Sequence, residues 1–146
     1  MTIVATSSTR AKDQTDEIVN ERIRRQTQAN IAYFAAHPEQ IDRRLAELDH
    51  EWDIERWLQV NSAALSIAGL TLGLLHSRKW LLLPLVVQGF FLQHGIEGYC
   101  PPLPIFRRAG VRTEGEIERE RHALKALRGD FAGADTAEAA LPAAER

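Results

Sequence analysis

At 146 residues the chain has room for one domain, and its 45% hydrophobic and 26% charged residues match the average of an ordinary globule. The net charge of −2, with no aromatic residues interleaved among the basic ones, speaks against a nucleic-acid partner. The averages conceal an uneven distribution: between Trp57 and Ile96 there is no Asp or Glu, and the only basic residues are Arg78 and Lys79.

Residues 1–12, MTIVATSSTRAK, read as a disordered N-terminus. Val19, Ile23, Ile31 and Phe34 then recur near helical spacing until His37-Pro38 ends the pattern, predicting an amphipathic helix. Arg22, Arg24 and Arg25 would suit a membrane surface, but Asp16, Glu17 and Glu21 dilute them, so packing against another helix serves equally well. Pro38 opens a second helix with a stripe of Ile41, Leu45, Leu48 and Trp52. Nothing from Glu39 to Leu75 demands a break, which permits one continuous helix. Residues 13–56 thus form a cytoplasmic, amphipathic region.

The stretch WLQVNSAALSIAGLTLGLL, residues 57 to 75, carries no charge. At ~1.5 Å per residue it covers roughly 28 Å, close to the ~30 Å of a bilayer core. A second uncharged stretch, WLLLPLVVQGFFLQHGI, residues 80 to 96, reaches the same depth if extended to Tyr99. Trp57, Trp80 and Tyr99 stand where interfacial aromatic rings are expected. The prediction is an all-α integral membrane protein: a two-span transmembrane hairpin over residues 57–99, flanked on both sides by amphipathic cytoplasmic helices. Arg43, Arg44, Arg56, Arg107, Arg108 and Arg112 flank the spans, against Arg78 and Lys79 in the loop, so both termini face the cytoplasm.

Within the first span Ser62, Ser66, Gly69 and Gly73 form a stripe of small side chains that lets a second helix approach closely, either the second span or another copy. Asn61, Gln88 and Gln93 are uncharged polar groups costly in lipid, so they are expected to hydrogen-bond across the bundle. Pro84 suits the first turn of the second helix.

The second span ends in HGIEGYCPPLP, residues 94 to 104. His94 and Glu97, at i and i+3, share a helix face and could hold a ligand or metal with help from another chain or from a residue such as His122. The blander reading has His94 bonding across the bundle and Glu97 meeting an interfacial Arg. Cys100 is the only cysteine, so it forms no intramolecular disulfide. It follows a helix C-terminus, and Pro101, Pro102 and Pro104 supply no N–H groups, so it reads as a packing thiol and not as a nucleophile. No catalytic pair and no cofactor site stand out in the sequence.

Residues 100–131 hold this Pro-rich turn and a helix opened by a capping box at Thr113-Glu114-Gly115-Glu116. Its apolar face is Ile117, Leu124 and Leu127, its alternating charges read as a solvated face, and Gly129 ends it. Residues 132–146 read as a disordered tail.

The order of these features carries a resemblance. Asp53-Ile54-Glu55-Arg56, a Gly-bearing span, a short loop, a second span, Gly98-Tyr99-Cys100-Pro101 and Ala109-Gly110-Val111-Arg112-Thr113 resemble the YgaP-like transmembrane domain family of bacterial inner-membrane proteins. That family's role is unsettled. Its two-span unit ends in Gly-aromatic-Cys-Pro and is fused in some members to a rhodanese, and the similarity runs from about Asp53 to Thr113. The resemblance implies a bacterial inner-membrane location and a link to sulfur transfer, which only Cys100 could carry here, since no rhodanese is recognisable in this sequence. Two functions stand: a non-enzymatic scaffold or accessory subunit of a membrane complex, self-associating through the small-residue stripe; or a binder or conduit for a metal, sulfur species or small solute at His94, Glu97 and Cys100.

Overall fold

The computed structural model describes residues 9–133 and 137–144, and every regular element among them is helical. In chain order these are α1 (Arg10–Asp13), α2 (Glu17–Ala36), a 3-10 turn (Pro38–Gln40), α3 (Ile41–His50), α4 (Ile54–Leu75), a second 3-10 turn (Arg78–Leu81), α5 (Leu82–Glu97), α6 (Leu103–Arg108), α7 (Glu114–Arg128) and α8 (Ala137–Ala144). α1 and α8 fall inside stretches expected to be disordered. Local bonds explain α1: Thr9 Oγ1 donates to Asp13 at 2.7 Å, Thr15 Oγ1 donates to the Ala11 carbonyl at 2.6 Å, and Asn20 Nδ2 donates to the carbonyls of Lys12 and Thr15. The remainder of both stretches, residues 1–8, 134–136 and 145–146, lies outside the described residues.

Where the helices stop follows from local chemistry. Pro38 disfavours helical backbone at the preceding residue, and His37 leaves the helix at φ −131°. The continuous helix that the sequence permits between residues 39 and 75 is interrupted at 51–53: Glu51 turns extended, and Asp53 caps α4 by accepting from the Arg56 amide at 2.8 Å. Gly98 ends α5 in the left-handed region at φ 82°, and its amide bonds the His94 carbonyl at 2.8 Å.

The chain divides into two units, residues 1–21 with 52–115, and residues 22–51 with 116–146. In the first, α4 and α5 run antiparallel. Gly69 faces Pro84, Ser66 bonds Gln88 and Glu55 bonds His94, so partner numbers rise along α5 as they fall along α4. A core of Ala11, Ile54, Leu58, Cys100 and Leu103, with Phe91, Phe106 and Val111 against it, closes one end of this pair. The first amide of α4, Ile54 N–H, is satisfied from outside the helix by the Arg112 carbonyl at 2.8 Å. Arg107 is fully buried and donates to Thr15 Oγ1, Asn20 Oδ1 and the Val111 carbonyl.

Away from that core the outer faces of α4 and α5 are apolar and bare. Ile67 is 65% exposed, Leu74 82%, Leu75 83%, Leu85 69% and Leu92 67%. The run Pro38–Leu75 is the one segment among the described residues long and apolar enough to cross a membrane by length and composition. Its most apolar stretch is only 22% buried, unlike the core helix of a globule. α5, at 16 residues, is shorter.

The second unit is held by Phe34, Ile41, Leu45, Leu48, Ile117 and Leu124. α7 departs from the expected solvated charged face, because Glu116 and Glu120 are buried while Leu127, assigned to the apolar face, is 47% exposed. Glu120 is fully enclosed and accepts from Arg44 Nε at 2.8 Å and from Asn30 Nδ2 at 3.3 Å.

Candidate functional site

At the closed end of the α4–α5 pair Glu55 meets His94, 39 residues away in sequence, with Cys100 in the adjoining core. Glu55 projects from the first turn of α4 because the Asp53 cap starts the helix two residues earlier. His94 lies in the last turn of α5, buried to 1% exposure, and its Nε2 is 3.0 Å from Glu55 Oε2. Cys100, two residues beyond the Gly98 stop, is buried in the core that closes this end. Phe91 stacks near His94, with ring centroids 6.3 Å apart.

An ionised carboxylate only accepts hydrogen bonds, so Glu55 places a ring proton on Nε2. Nδ1 is buried and has no hydrogen-bond partner. The site is therefore a buried thiol, a buried imidazole and a carboxylate that orients the ring. Burial acts to raise Glu55, but the hydrogen bond and charge of His94 and then the charge and hydrogen bond of Arg10 outweigh it, so its carboxyl is held below the ordinary range.

α1 covers this cluster. Arg10 reaches Glu55 Oε1 at 3.3 Å and the Gly95 carbonyl at 3.5 Å, and Gln14 donates to the Glu97 carbonyl at 3.4 Å. Gly98 permits the approach, since a Cβ there would lie 2.8 Å from the Arg10 carbonyl oxygen and 2.6 Å from its Cβ.

The residues singled out in the sequence fare differently. Glu97 does not join His94; it is exposed and accepts from Gln93 Nε2 at 3.0 Å. Among the described residues no group of three or more His, Cys, Asp and Glu is placed to hold a metal, so the set of His94, Glu97 and Cys100 is not assembled. His122 belongs to the other unit, where its Nδ1 lies 2.8 Å from the Glu118 carbonyl. Gln88 crosses to α4 as expected, donating to Ser66 Oγ at 2.8 Å, whereas Gln93 bonds within its own helix and Asn61 lines a cavity.

The small-residue stripe packs inside the chain. A Cβ on Gly69 would meet Pro84 Cδ at 2.5 Å, one on Gly73 would collide with the Leu81 side chain, and Ser62 is buried with its hydroxyl on the Gln59 carbonyl. Of the two partners the stripe allowed, the second apolar helix of the same chain lies against Gly69 and Gly73.

Next to Cys100, between α4 and α5, lies a half-open cavity of about 210 Å³ lined by Leu58, Asn61, Ser62, Leu65, Val87, Phe90, Phe91, Cys100, Pro101 and Pro102. Glu55 is the member of the site that sequence reasoning missed. Its position beside the Asp53 cap, at the mouth of the first apolar stretch, was the available signal, because an antiparallel partner helix must end there.

Compared with family models, with curated proteins and with solved structures, the chain matches none.

Proposed function

We propose that the chain is a non-enzymatic integral membrane protein, in which α4 and α5 form a two-span hairpin and the remaining helices serve in the cytoplasm as a scaffold or accessory subunit of a membrane complex. The observation that carries this reading is the bare apolar surface of α4 and α5. Monomeric soluble proteins rarely expose contiguous apolar patches beyond a few hundred Å², and here exposed Leu, Ile, Val and Phe side chains recur along both helices with no acidic residue between Trp57 and Ile96. Half-exposed Trp57, Trp80 and Tyr99 fit the two interfaces of a bilayer. The excess of Arg on the flanks over the Arg78-Lys79 turn orients both termini to the cytoplasm, and the resemblance to the YgaP-like family supplies the bacterial inner membrane.

Because the small-residue stripe is spent within the chain, a second copy or a partner protein docks elsewhere, through the cytoplasmic helices or the lipid-facing ones. Alkaline carbonate extraction of native membranes tests the reading. Retention of the full chain in the pellet is the expected result, and release with the peripheral proteins would refute it.

A second reading, binding of a small solute, is favoured by one observation: Cys100 lines a cavity while its neighbour His94 is oriented by Glu55. Glu55 takes the place that the sequence assigned to Glu97.

A further inference from the structure

We propose that the cavity between α4 and α5 binds a compact phenol, a single hydrocarbon ring carrying one hydroxyl group. The inference rests on the small-solute reading and names the class of solute; the scaffold reading is tested apart from it.

Volume sets the size of the guest. An engineered apolar cavity of about 150 Å³ takes up benzene, so a space of about 210 Å³ has room for a ring with a short branched substituent. A lipid acyl chain is too long for it. The lining sets the kind of guest: Leu58, Leu65, Val87, Phe90 and Phe91 present hydrocarbon, with two aromatic rings among them. A rigid ring also gives up less conformational freedom on binding than a chain of the same carbon number. Leu65 and Phe90 form the open rim, 40% and 43% exposed, while Leu58 and Ser62 are buried beneath them.

Asn61 supplies an independent observation that points to the hydroxyl. Leu58, Asn61, Ser62 and Leu65 fall at i, i+3, i+4 and i+7, so one face of α4 carries the half-buried amide into the cavity wall. Its side chain makes no hydrogen bond to any described residue. The other two amides of the apolar helices are engaged, Gln88 with Ser66 and Gln93 with Glu97. An amide left bare against hydrocarbon is costly. A phenolic hydroxyl both donates and accepts, so it satisfies the amide from within the cavity. The Ser62 hydroxyl already donates to the Gln59 carbonyl, which leaves Asn61 as the recognising group.

The test uses the full chain in mild detergent with three probes. Thymol is the phenol, p-cymene is the same carbon skeleton without the hydroxyl, and n-decanol is a linear alcohol of equal carbon number. Affinity is read from the saturable rise of the thermal unfolding midpoint with probe concentration. Thymol should bind about tenfold more tightly than p-cymene, the worth of one hydrogen bond, and more tightly than n-decanol. Asn61→Leu should weaken thymol about tenfold while p-cymene binds at least as well as before. Val87→Trp fills the cavity and should lose both rings with helical circular dichroism retained. If Val87→Trp does not fold, Asn61→Leu decides the matter by itself. Equal affinity of the parent chain for thymol and p-cymene, or thymol unaffected by Asn61→Leu, would overturn the phenol assignment and leave a small-solute site standing. No saturable binding of either ring would overturn both. The proposal also falls if n-decanol binds as tightly as thymol, or if folded Val87→Trp binds thymol as the parent does. None of these readouts requires a bilayer, so carbonate extraction fails or succeeds independently.

Discussion

Gly69→Ala against Gly89→Ala is the comparison that most sharply probes the α4–α5 packing. Both glycines sit inside apolar helices, so replacing either by Ala gains a similar helix-propensity term of about 1 kcal/mol. Their surroundings differ. A Cβ at Gly89 meets nothing within 4 Å, whereas one at Gly69 would lie 2.5 Å from Pro84 Cδ, 3.1 Å from Leu83 Cβ and 3.2 Å from the Trp80 carbonyl oxygen. The proline ring and the backbone cannot swing aside as a flexible side chain can, so the helices must separate, at an overpacking cost of about 1–3 kcal/mol. Propensity cancels in the difference, and Gly69→Ala should be less stable than Gly89→Ala by that amount. Gly73→Ala should fall between them, since it displaces the end of the Leu81 side chain. Thermal unfolding in one detergent, followed by the helical circular dichroism signal, reads all three. Equal midpoints for Gly69→Ala and Gly89→Ala would show that α4 and α5 do not pack at this position.

Other consequences concern the flanking helices and the covered site. Arg44→Met removes a charged partner of the enclosed Glu120 and should destabilise the second unit by about 3–5 kcal/mol, with much of that recovered by adding Glu120→Leu; urea unfolding measures both. Glu55, whose carboxyl is held below the ordinary range, contributes stability that is complete above 4.5 and is lost as pH falls through its lowered value. Hydrogen exchange of residues 10–13 should therefore accelerate in that acidic window, and Glu55→Gln should abolish the acceleration. Gly98→Ala puts a side chain against the Arg10 backbone at a φ of 82°, so it should release α1 and expose residues 10–13 to exchange even at neutral pH.

Much of the helical plan was legible because apolar periodicity and terminators act locally. Pro38 and Gly129 mark a start and an end that the chain honours, and Ile41, Leu45 and Leu48 are buried as their spacing implies. What was not legible required partners remote in sequence. Glu120 looked like one charge among many on a wet helix, whereas Arg44, 76 residues away, and Asn30 both meet it where it is buried. His94 was paired with Glu97 by helical spacing, yet the antiparallel fold brings Glu55 from 39 residues upstream to the imidazole. The case against a reactive Cys100 rested on the helix dipole and the prolines, which remain as read. The stripe of Ser62, Ser66, Gly69 and Gly73 was recognisable as a contact face, but periodicity carries no information on whether the partner is the same chain.

The account depends most on α4 and α5 crossing a bilayer with the 76–81 turn on one side and α7 on the other. In a Cys100→Ala chain, His76→Cys and Arg119→Cys each place one thiol at an exposed position, one in that turn and one in α7. Labelling of intact bacterial spheroplasts with a membrane-impermeant maleimide is the direct measurement. The account predicts that His76→Cys reacts at once and Arg119→Cys only after the membrane is opened. Equal labelling of both positions before lysis would contradict it.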